Sequence, residues 1–197
     1  MKLRRLIGSM ICAVALVATP PQSVSAASGE KYLAVPKFIQ QQDQWCWNAA
    51  TNSVIKYLFN ITETQCNMAN KMFNEGTCCQ QPASTACNKP SNLWAIHFML
   101  STDYWPWIGS DVGGRLAWAD VKEEVGTRGR PWLARIGWNG TSIGHMFVVR
   151  AYTWHDSGDK NIGVMDPWVG TYKWYSWPYF LDNSVFTWTD TLWKIHR

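Results

Sequence analysis

The feature that most restricts the folding of this 197-residue chain is a cluster of cysteines. Cys66, Cys78, Cys79 and Cys87 fall within 22 residues, much of it a loop rich in Gly, Ser and Pro. A loop as long as residues 74–90 holds a fixed shape only when something staples it. In an oxidising compartment an even set pairs, so the four give two disulfides and Cys46, upstream of them, stays a free thiol. A Cys78–Cys79 link requires a strained vicinal ring and ranks last of the three pairings; the other two remain open. Zinc is the rival use of four cysteines. The adjacency of Cys78 and Cys79 does not suit the Cys-x₂₋₄-Cys spacing of zinc sites, so neither a metal nor a cofactor is expected.

The compartment follows from the first 26 residues. Lys2, Arg4 and Arg5 precede an apolar run from Leu6 to Ala18, which is too short to span a membrane. Val24-Ser25-Ala26 supplies the small residues of a cleavage site, so residues 1–26 read as a secretory signal peptide. Ile11 before Cys12 does not fit a lipoprotein site. The expected product is residues 27–197, a single domain, secreted or periplasmic and monomeric. Its removal of three positive charges takes the net charge from +4 to +1. That leaves no reason to expect nucleic acid as a partner, and no later segment suits stable membrane insertion. About 170 residues can bury one sizeable core.

Periodicity gives the fold class. Trp47, Ala50, Val54 and Leu58, with Ile55, recur at helical spacing and predict a helix over 46–59. A second helix starts at Thr62 or Glu63 and runs to Phe73. A third, capped by Ser91, runs to Leu100 and is apolar nearly all round, hence buried. Residues 101–116 read as loop, with Pro106 between Trp105 and Trp107. A fourth helix is defined by Ala117, Trp118, Val121 and Val125 and stopped by Gly126. The pattern then turns to period two. Strands are expected over 132–138, 145–154, 161–166, 171–177 and 186–195, after an extended entry segment over 27–45. Helices first and strands after is an α+β order. The 14 tryptophans are scattered, which suits core and cleft wall better than a sugar-binding stripe.

Cys46 stands at the start of the first helix. Free N–H groups and the positive end of the helix dipole favour an anion there, and the thiolate is the nucleophilic form of cysteine. Gln40 lies six residues upstream, in Gln40-Gln41-Gln42-Asp43-Gln44-Trp45-Cys46-Trp47. Gly144-His145 opens one strand-like run and Asp166 closes the next. A lone cysteine at a helix start is usually a small buried hydrophobe, and a lone histidine is usually structural. Their joint presence with Gln40 points to nucleophilic catalysis.

Those residues, in that order, resemble the papain-like cysteine peptidases, specifically a secreted bacterial branch. The resemblance covers roughly residues 33–180. It implies a helical half carrying the cysteine, a curled antiparallel β-sheet carrying the histidine, and a cleft between them. It also implies Cys46 as nucleophile, His145 as acid–base, Asp166 as its orienting group, and Gln40 with the Cys46 N–H as the oxyanion hole. A plain hairpin centred near Ser157 would set His145 opposite Gly170, so a bulge or curl must bring Asp166 into reach. Asp156, Asp159 and Asn161 are weaker rivals. The expected activity is hydrolysis of peptide or protein substrates through an acyl-enzyme. An acyltransferase or cell-wall amidase would use the same pair, and an inert binding module on this fold is the non-enzymatic alternative.

Overall fold

The computed structural model describes residues 28–104 and 108–197. The signal peptide expected over residues 1–26, and Trp105, Pro106 and Trp107, lie outside the described residues. The elements run β1 (Ser28–Tyr32), α1 (Cys46–Phe59), α2 (Gln65–Phe73), α3 (Leu93–Met99), β2 (Gly109–Gly113), α4 (Trp118–Val121), β3 (Trp132–Trp138), β4 (Gly144–His155), β5 (Lys160–Asp166), β6 (Thr171–Ser176), α5 (Trp177–Leu181) and β7 (Phe186–His196). The strands form one antiparallel sheet in the order β2-β7-β3-β4-β5-β6, with β1 alongside the far half of β4. The fold is α+β and papain-like: apart from β1, β2 and the short α5, the helices precede the strands. Among the described residues no helix is long and apolar enough to cross a membrane.

The core lies between α1 and the sheet, where Trp47, Val54 and Ile55 meet Trp132, Phe147 and Trp188. Helix α1 is more deeply buried than a single stripe requires: Trp47 to Ile55 are all buried. Most of its buried polar groups find a partner, Asn52 Oδ1 being the exception among the described residues. Thr51 and Ser53 donate back to Trp47 O and Ala49 O at 2.7 and 2.9 Å. The Asn48 side chain donates to Gln65 O of α2 at 2.8 Å. Asn60 ends the helix in the left-handed conformation, φ 57°.

Several expectations are corrected. Helix α2 begins at Gln65 because Thr64 accepts from the Asn67 N–H as N-cap. Asn92, not Ser91, caps α3, and the helix continues as a π turn over Leu100–Tyr104. Helix α3 is not buried all round: Trp94 and Phe98, one turn apart, face outward at 65 % and 66 % exposure. Its apolar circumference exceeds what the core can cover. The segment 101–116 is not all loop, since β2 pairs with β7. Gly-Ser-Asp-Val-Gly carries no alternation; its pairing comes from the open edge of β7. The fourth helix passes through Gly126 in a π turn to Thr127. There a Cβ would stand 2.6 Å from the Tyr152 hydroxyl, so glycine serves packing rather than termination. In the entry segment Ser28–Tyr32 join the sheet as β1, and the chain turns over residues 41–44 before α1. Strand β6 stops at Ser176, one residue early, where Pro178 supports a short helix.

The cysteine loop is closed by two disulfides, Cys66–Cys79 and Cys78–Cys87, and Cys46 is free. Cys78 and Cys87 are fully buried and pack with Trp45 and Ala69 in a small second core.

Candidate active site

The loop before α1 is shaped from two sides. Trp45 is fully buried on the Cys78–Cys87 pair and its indole N–H donates to Cys87 O at 2.9 Å. Gln65 brackets the segment on the other side. Its Nε2 donates to Ile39 O at 2.7 Å, and its Oε1 accepts from the Gln41 N–H at 2.9 Å. One side-chain amide thus acts as a strand partner for the backbone around Gln40. Trp45 occupies the N-cap of α1 and makes no side-chain cap bond. The Cys46 N–H, first in the helix, has no intrahelical acceptor by geometry. Cys46 itself is half-buried.

His145 comes from the start of β4. Gly144 before it sits against β3, where a Cβ would come 2.6 Å from Ile136 O. The glycine of the Gly-His pair is therefore required by strand approach. The imidazole is buried, lies edge-on to Phe147 with centroids 5.0 Å apart, and stacks near Trp138 at 6.2 Å. Its Nε2 is 2.8 Å from Asp166 Oδ1. Its other nitrogen, Nδ1, is left for the cavity whose wall Cys46 shares.

Asp166 is buried at the end of β5 and fully engaged. Oδ1 accepts from His145 Nε2 and from the Trp168 N–H at 3.0 Å, and Oδ2 accepts from Lys173 Nζ at 2.7 Å. Burial pushes the Asp166 pKa up, but the bonds from His145 and Lys173 outweigh it and hold the carboxyl at about 2. Burial pulls His145 down, but the bonds to Asp166 and Cys46 win and raise it to about 9. At neutral pH Asp166 is thus an anion and His145 a cation.

Cys46, His145 and Asp166 line one cavity of about 710 Å³, with Trp138, Trp168, Lys173 and Tyr175 in its walls. Gln40 lies in a neighbouring groove with Gln41, Gln42 and Asn88. Its two amide hydrogens go to Gln42 O at 2.8 Å and Asp43 O at 2.9 Å, and its buried Oε1 has no partner among the described residues. Gln44 lines the larger cavity. The weaker rivals lie towards the other end of β4 from His145. Asp156 and Asp159 belong to the β4–β5 turn, and Asn161 bonds Thr153 at 3.2 Å. Of the other histidines, His97 meets Ser110 and His196 meets Lys194 O.

Gln65 and Lys173 are absent from the residues the sequence singles out. Gln65 carries no motif; its importance is a tertiary fact. Lys173 had a signal. A β5–β6 hairpin pairing Asp166 with Thr171, as observed, puts residue 173 on the same face two positions along.

A comparison with curated proteins finds no match. A family model described as the Peptidase_C39 like family matches residues 32–191, a span that contains every site residue described above. The chain therefore belongs to the Peptidase_C39 like family and is an enzyme of the cysteine peptidase type.

Proposed function

We propose that this chain is an exported peptidase that cleaves peptide bonds through a Cys46–His145–Asp166 triad and a thioester intermediate. The observation that carries the reading is that the free thiol of Cys46 lines one cavity with His145, whose ring is bonded to Asp166. The Cys46 sulfur attacks the substrate carbonyl carbon. As the tetrahedral intermediate collapses, the C–N bond breaks and His145 Nδ1 gives its proton to the leaving amine. A water then adds to the thioester, losing its proton to the same nitrogen. The acid departs and the thiolate returns. Asp166 keeps its acceptor on Nε2 throughout and so fixes the tautomer and the plane of the ring. The uncapped Cys46 N–H is the first oxyanion donor. Gln40 becomes the second by exchanging one of its loop carbonyls for the substrate oxygen. Two disulfides and the basic–apolar leader support export.

The test is covalent labelling of the mature protein with a peptidyl epoxide, alongside hydrolysis of casein. Modification confined to Cys46, with hydrolysis lost in Cys46→Ala, is the expected result. An unlabelled Cys46 in folded protein would instead favour an inert binding module.

A further inference from the structure

Lys173 extends the contacts of the site beyond Asp166. It projects from β6, while Asp166 ends β5 and His145 begins β4. Lys173 pairs in register with Val164 and Asp166 with Thr171, so the ammonium reaches the carboxylate on a diagonal. Among the described residues Lys173 is the one donor to Asp166 Oδ2, at 2.7 Å; the His145 ring and the Trp168 N–H both use Oδ1. The carboxylate is 6 % exposed, so without Lys173 a buried anionic oxygen has no partner. The lysine side chain is 42 % exposed and lines the same cavity as Cys46.

We propose that Lys173 is a positioning residue of the active site: it locks the Asp166 carboxylate from the side opposite His145 and closes an alternating row of charges from Cys46 to Lys173. This rests on the triad reading above. With Cys46 as thiolate and His145 as imidazolium, the row is minus, plus, minus, plus and sums to zero. Without Lys173 it carries a net negative charge in a largely buried site. The remaining charged and titratable neighbours do not substitute. Arg135 is engaged by Asp190 at 3.3 Å, and Asp43 accepts from Asn88 at 2.7 Å. Tyr175 stays neutral because burial raises its pKa. The bond to Asp166 raises the Lys173 pKa, so its charge persists across the working range.

The consequence is a defined pH signature. A more negative site makes every proton harder to remove from the Cys46–His145 pair. Both inflections of the pair, thiolate formation at the acid side and imidazolium loss at the alkaline side, should therefore move up together.

The experiment measures the rate of Cys46 alkylation by iodoacetamide against pH for the mature protein, Lys173→Met, Lys173→Gln and Lys173→Arg. Peptide hydrolysis is followed in parallel. In Lys173→Met both inflections should rise by about half to one pH unit, given a partly exposed charge. The kcat should fall roughly tenfold, a small part of the ~10²–10⁴ that a general acid–base supplies, with KM little changed. Lys173→Arg should keep the parent inflections. Lys173→Gln keeps an N–H donor without the charge, so it should move the inflections and preserve more of kcat; it also serves if Lys173→Met fails to fold. Parent inflections in both uncharged variants overturn the proposal. So does a loss confined to KM for acidic peptides, which would make Lys173 a substrate-binding cation. If the parent protein shows no acid-side inflection, the thiolate reading itself fails and the inference falls with it.

Discussion

His145 and Asp166 meet on a diagonal of the sheet. The outer β4–β5 ladder, extended unbroken, would set Val169 opposite His145. A bulge at Arg150 shifts the register by one, which brings Trp168 opposite instead. The last two positions are covered by the diagonal reach of the side chains. Arg150 is held in the bulge by Leu33, whose carbonyl accepts from Nε at 2.6 Å, and by Tyr172, whose ring lies 3.9 Å beneath the guanidinium.

The first prediction concerns pH. His145 is raised to about 9 from 6.5, so its charged form stabilises the fold fully below about 6.5 and loses that effect as pH rises through about 9. Asp166 is lowered, so its contribution is lost only as pH falls through about 2. The melting temperature of the parent protein should therefore fall more steeply from pH 7 to 10 than that of His145→Ala. Equal slopes would show that His145 does not carry this charge.

Cys46→Ala should abolish hydrolysis while leaving both disulfides and the melting temperature nearly unchanged, because Cys46 is half-buried at a helix start. Thiol titration of the native protein should count one reactive group, and of the variant none. Residual turnover above background in Cys46→Ala would remove it as nucleophile.

Gln40→Ala should lower kcat by on the order of 10²–10³ if it supplies an oxyanion donor, while alkylation by iodoacetamide, which forms no oxyanion, continues. Gln44 lines the cavity and is the control. A deficit in Gln44→Ala with Gln40→Ala silent would move the donor by four residues. Gln65→Ala differs from both: it strands Ile39 O and the Gln41 N–H and should cost about 1–3 kcal/mol of stability, read by urea unfolding.

The two disulfides should separate in their effects. Removing either from the protein is expected to cost about 2–5 kcal/mol. Cys78→Ala/Cys87→Ala also undermines Trp45 and should slow alkylation of Cys46. Cys66→Ala/Cys79→Ala should lower stability with less effect on that rate. Equal alkylation rates in the two double variants would uncouple Trp45 from the nucleophile.

The helix-then-strand order, α1 to its last residue and most strand positions could be read from period alone, because these segments bury one continuous face. What could not be read is instructive. Strand β2 has no pattern of its own and exists because β7 has an edge to fill. The outward faces of Trp94 and Phe98 depend on how much core there is to cover α3. At the candidate site, Cys46, His145 and Asp166 stand out in the sequence because they sit at element ends in the order of the family the chain resembles. Gln65 does not, since it binds only backbone and its neighbours lie 24 and 26 residues away. Gln40 could be placed but not posed: its donors turn to the carbonyls of its own loop.

Trp45 and Cys46 are consecutive, yet they belong to different cores: Trp45 packs on Cys78 and Cys87, and Cys46 packs against the main core and opens to the cavity. Thiol–disulfide exchange requires a thiolate to approach a disulfide sulfur directly. Here the neighbouring indole packs on the buried bridge, and Cys46 packs on the other core. The fold therefore sets a free thiol apart from a disulfide that packs on the adjacent residue, so that a single redox environment can maintain both.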